Sequence, residues 1–157
     1  MAPYNSLDVA SFIAQLCREK GYYYNNTKIQ KLLYCCYGSV LASRNERLCD
    51  EYPRAWQYGP VYPRVFNFIS KGKGSLEDYC PNFSCDDDLK NFLSKVIDVF
   101  GKYTAVALSN WTHKPGSPWD TVVNCIDGEG KGMNNFIPDD LIAQYFKEHV
   151  IKATANG

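Results

Sequence analysis

Apolar residues recur at helical spacing over most of this chain, and strand-like character is confined to one short stretch. Val9, Phe12, Ile13, Leu16 and Cys17 share one face of a segment spanning residues 7–20, which Ser6 is placed to cap and Gly21 to stop. Asp8 lies in its first turn, where a carboxylate offsets the positive end of the helix dipole. After the tyrosine-rich run YYYNN, Asn26 or Thr27 opens a second segment, KIQKLLYCCYGSVLASR. Ile29, Leu32, Leu33, Cys36, Tyr37, Val40 and Leu41 cover most of its circumference, and its polar positions are Lys28, Gln30 and Lys31. A helix apolar on nearly every side belongs in the middle of a bundle, so residues 27–43 are expected to be the central element.

The pattern changes at RAWQYGPVYPRVF, residues 54–66. Residues 54–58 are aromatic and extended-prone, Gly59-Pro60 is a turn signal, and Pro63 suits the first position of a new helix. Alternation along the extended part would send Trp56 and Tyr58 to one face and Ala55 and Gln57 to the other. Val65, Phe66 and Ile69 form the apolar stripe of the helix that follows, ended by Gly72. Residues 72–84 have the Gly, Ser, Asp and Pro content of a surface loop. Asp86 to Asp88 then start a helix with Leu89, Phe92, Leu93, Val96, Ile97 and Phe100 as its buried face.

Thr104 caps a short helix, AVALSNWTH, which KPGSPW closes, and NCIDGEGKGMNN reads as an exposed turn. Pro138, with Asp139 and Asp140 behind it, begins the last helix. These elements predict a mainly α fold, a compact helical bundle around the central 27–43 helix with a small β-strand/turn element near 54–60. One domain spans residues 1–157.

Charge narrows the partners. Seventeen basic residues balance seventeen acidic ones, which argues against an extended phosphate-binding face and hence against nucleic acid. No apolar run approaches the ~20 residues of a membrane span, and the N-terminus lacks the basic and apolar regions of a secretory signal. Seven cysteines, two of them adjacent in a helical pattern, fit reduced thiols in a cytoplasm better than a disulfide framework.

Candidate chemistry is sparse. Cys80 and Cys85 have a spacing used in some zinc sites, and Cys125 with His113 or His149 could complete one in space; buried or loop thiols are the plainer account. A Cys-His nucleophile has its residue types but no local signature. GKGS and GEGKG match neither a P-loop nor a dinucleotide fingerprint. His113 is either a charged histidine at a helix C-terminus or a polar anchor beside Trp111 and Trp119. No catalytic residue, metal or cofactor is indicated.

Three stretches together are more specific than any one. NNTKIQKLLYCCYG resembles the N-x-K-L-Q-K-L-L-Y helix of the Panacea domain family, which includes SocA-like antitoxins and phage-associated proteins. AWQYGPVYPRVF resembles that family's aromatic turn, and ALSNWTHKPGSPW its L-S-x-x-T-H-x-x-x-P-W segment. LDVASFIAQL and IPDDLIAQYF also fit, so the likeness runs from Leu7 to Phe146. It departs from the pattern at Phe66, at Cys35-Cys36 and in the loop from Lys71 to Asp88, and no DNA-binding appendage is expected.

The resemblance implies a helical domain that neutralises a cognate protein toxin by direct binding, in some members as an adaptor handing the toxin to a ClpXP-type protease. It brings no catalytic residue or metal. The motif positions that carry over include Asn26, Ala55, Gly59, Pro60, Val61, Pro63, Thr112 and Pro118. The partner-binding candidates are Lys28, Gln30, Lys31, Trp56, Tyr58, Tyr62, His113 and Trp119. Trp56, Tyr58 and Tyr62 are the aromatic anchors among them, although Trp56 and Tyr58 could instead pack inward. Two other readings are a cysteine- or metal-dependent enzyme and a phage-encoded inhibitor of a host defence protein.

Overall fold

A computed structural model of the chain describes residues 3–151. Its elements are α1 (Ser6–Lys20), α2 (Asn26–Arg44), β1 (Arg54–Trp56), β2 (Gly59–Val61), α3 (Pro63–Ser70), α4 (Leu76–Tyr79), α5 (Asp87–Phe100), α6 (Ala105–Thr112), α7 (Pro118–Asp120) and α8 (Asp139–Phe146). The ends of α7 and α8 widen into π-helical turns at Thr121–Cys125 and Lys147–Ile151. The architecture is mainly α with a small two-stranded antiparallel sheet.

The central helix is where its composition puts it. Every residue of α2 from Lys28 to Leu41 is buried, because α1, α5, α6, α8, β2 and α3 pack around it. Burial extends to the polar positions as well as the apolar ones. Caps sit one or two residues earlier than expected: the Asn5 side chain accepts from the Leu7 amide, and that of Asn25 from the Lys28 amide. Asp86 and Thr104 cap α5 and α6 in the same way.

Two segments expected as surface loops are structural. Within 72–84, the single turn α4 packs on α1, where Gln15 Nε2 donates to the carbonyls of Glu77 and Cys80, both at 2.9 Å. Leu76 and Phe83 enter the core. The 124–135 segment returns to the sheet: the Asn134 amide donates to Ala55 O at 2.7 Å, and the Ala55 amide to Asn135 O at 2.9 Å. β1 is therefore paired on both sides, with β2 on one and this returning strip on the other.

Candidate functional site

The aromatic stretch folds as a hairpin rather than a strand followed by a Gly-Pro turn. Arg54, Ala55 and Trp56 pair with Val61, Pro60 and Gly59, so Gln57 and Tyr58 form the connection and Gly59-Pro60 belong to the second strand. Gly59 has φ +113°, and a Cβ there would lie 2.6 Å from Thr112 Oγ1 and 2.7 Å from Lys31 Cε. Only glycine meets both the backbone angle and the space. Ala55 faces the core, whereas Trp56 is half-buried and Tyr58 is 64% exposed.

Side chains from the other two hallmark stretches hold this hairpin in place. From α2, Lys31 Nζ donates to Pro60 O at 3.1 Å, and Gln30 Oε1 accepts from the Tyr62 amide at 2.8 Å. From α7, Trp119 Nε1 donates to Trp56 O at 2.8 Å. The His113 ring packs edge-on to Trp119 with centroids 4.1 Å apart. The first two bonds satisfy backbone groups of Pro60 and Tyr62 that the short hairpin leaves unpaired, and the third gives the Trp56 carbonyl a side-chain donor from α7.

Beside the hairpin lies a pocket of about 490 Å³. Trp56, Tyr58, Val61, Phe66 and Met133 give it apolar walls, while Asn26, Thr27, Gln30 and Lys31 from the first turns of α2 line its other side. Trp56 is fixed by an edge-on contact with Phe66 at 5.1 Å and by its indole N–H, which donates to Asn134 Oδ1 at 2.8 Å. Lys31 is almost completely buried, and desolvation pulls its pKa down to about 8, with Cys35 acting in the opposite direction. His113 is likewise pushed below its ordinary value, first by burial and then by Lys31, and its Nε2 has no hydrogen-bond partner.

The candidates taken from the sequence thus separate into four groups. Gln30, Lys31, Trp56 and Tyr58 meet around one pocket. Lys28 is buried on another side of α2, donating to Gly101 O at 2.6 Å under the Tyr22 ring. His113 and Trp119 brace the hairpin from beneath. Tyr62, expected to face outward, is fully buried against Tyr37 with its hydroxyl unpartnered. Its position next to Pro63 places it at the junction of β2 and α3, where the chain turns into the core. Of the two readings of His113, burial and Lys31 disfavour the charged one, and the ring packs on Trp119. Phe66 and Met133 line the pocket without having been candidates. Met133 had no sequence signal, because only the return of the 124–135 segment brings it there.

Six of the seven thiols are held in their protonated form by burial. Burial raises the pKa of Cys17, Cys35, Cys36 and Cys49, and it is also the main cause of the upward shifts of Cys80 and Cys85. Among the described residues, no group of three or more His, Cys, Asp or Glu is placed to hold a metal ion. No helix among them is long and apolar enough to cross a membrane.

Comparison with known proteins agrees with the hallmark stretches. The profile of the family described as "Antitoxin SocA-like, Panacea domain" matches residues 29–120. The chain is 26% identical over 136 residues to Antitoxin SocA of Caulobacter vibrioides (strain NA1000 / CB15N), covering 78% of this chain and 72% of that protein. No solved structure matches.

Proposed function

The chain belongs to the antitoxin SocA-like Panacea domain family, and from that premise we propose that it is an antitoxin that neutralises a cognate protein toxin by direct binding. The observation that supports a binding site is the pocket at the hairpin, with a half-buried tryptophan and an exposed tyrosine on its walls. Aromatic side chains at such rims carry a large share of binding energy because they bury much area at little entropic cost. A rigid frame under them adds to this, since the hairpin is tied to α2, to α7 and to the 134–135 strip before any partner arrives.

A cytoplasmic location accords with seven free thiols. Delivery of the toxin to a ClpXP-type protease would be a step added to binding. In a host lacking that protease, rescue by binding alone persists and rescue by delivery is lost.

Co-expression with the product of the neighbouring gene tests the reading. That product should stop growth alone and be tolerated with this chain present. Tyr58→Ala and Trp56→Ala should weaken rescue, each reducing affinity by about tenfold or more, while helical circular dichroism stays at the wild-type level. A neighbour that is harmless alone, or variants that rescue fully, would sink the proposal.

A further inference from the structure

The chemistry of the pocket is one-sided. Among the described residues, none of its lining is an aspartate or glutamate, and Lys31 is its one cation. Lys31 reaches a single acceptor, the Pro60 carbonyl, although an ammonium has three protons to donate. Among the described residues no carboxylate lies within ion-pair distance of Lys31 or of Lys28. The same wall is the amino-terminal end of α2, a 19-residue helix with no acid in its first turn. Its uncompensated dipole adds positive potential at the place where Asn26 and Thr27 line the pocket.

Resting on the binding reading above, we propose that this pocket recognises an acidic, apolar segment of the partner protein. A hydrophobic side chain sits among Trp56, Phe66 and Met133, and an adjacent carboxylate is drawn to Lys31 and the first turn of α2. The apolar walls fit the side chain, and the positive end, which has no acidic partner among the described residues, selects a carboxylate over a neutral group. One cation among apolar walls suits a carboxylate better than the repeated phosphates of a nucleic acid, which need a basic stripe.

Two small probes that differ only in charge test this: N-acetyl-phenylalanine and its carboxamide, titrated at millimolar concentration into the full chain. The readout is the indole N–H resonance of Trp56, assigned with Trp56→Phe. The carboxylate should bind several-fold tighter at low salt, and the preference should vanish in Lys31→Met and in strong salt. Equal binding of the two probes, no binding of either, or a preference unchanged in Lys31→Met overturns the proposal. The rescue assay separates this failure from that of the binding face. Loss of rescue in Trp56→Ala with full rescue by a folded Lys31→Met leaves the face standing and ends acid recognition. Full rescue by Trp56→Ala ends both.

Discussion

Lys31 is the residue on which framework and pocket meet. Its ordinary pKa of 10.5 falls to about 8 because burial strips the ammonium of water and returns one carbonyl bond. A base whose pKa is lower folded than unfolded holds fewer protons when folded, so its protonation opposes folding. That penalty is complete below pH 8 and fades as pH rises from about 8 to 10.5. Lys31→Met keeps the stem and removes the charge. It should stabilise the chain at pH 6.5 by on the order of 1–3 kcal/mol, with the gain shrinking at pH 9. Urea unfolding at the two pH values checks this. A variant that is less stable by the same amount at both would show that the bond to Pro60 outweighs desolvation.

Among the elements, α2 decides the architecture. Its glycine at position 38 lets α8 approach closely: a Cβ there would collide with the ring carbons of Phe146, which also packs edge-on to Tyr34 and Trp111. Gly38→Ala has the better helix propensity, which favours it by about 1 kcal/mol. Overpacking against a fully buried ring costs about 1–3 kcal/mol and should win. A lower midpoint in thermal unfolding is expected, and Phe146→Leu in the same background should restore part of it. A Gly38→Ala variant as stable as wild type would mean that α8 moves aside freely. The hairpin depends on elements distant in sequence in a similar way, through α6–α7 below and the 134–135 strip beside it.

For the whole molecule, buried thiols set the alkaline limit of stability. Cys17 is pushed up to about 11, and burial raises Cys35, Cys36 and Cys49 as well. An acid with a raised folded pKa contributes its full stabilisation below the unfolded value. It loses that contribution as pH climbs past about 9, when the unfolded chain ionises and the folded one does not. Each such thiol removes about 1.4 kcal/mol per pH unit, which the lowered Lys31 and Lys28 offset only in part. Stability under reducing conditions should therefore drop steeply above pH 9, measured by urea unfolding, and a flat profile to pH 10.5 would contradict the burial of these groups. A thiol reagent should label Cys125, which is exposed, well before Cys35 or Cys36.

Much of this was legible in the sequence, because periodicity and capping are local. The all-round apolar pattern of residues 27–43 identified the central helix, and the stops and acids around Gly21, Asp86 and Thr104 marked the others. The three hallmark stretches gave the family. What they could not give was direction. Lys28, Gln30 and Lys31 read as a polar face, yet they are buried to hold carbonyls and an amide from distant loops. Tyr62 read as an anchor, yet the chain turns it into the core. Met133 lay in what read as an exposed turn and arrived at the pocket because its neighbours Asn134 and Asn135 pair with β1. A local pattern fixes which residues share a helix or a strand. Only the packed structure determines which unpaired backbone groups need a buried side chain, and so which motif residues are left to meet a partner.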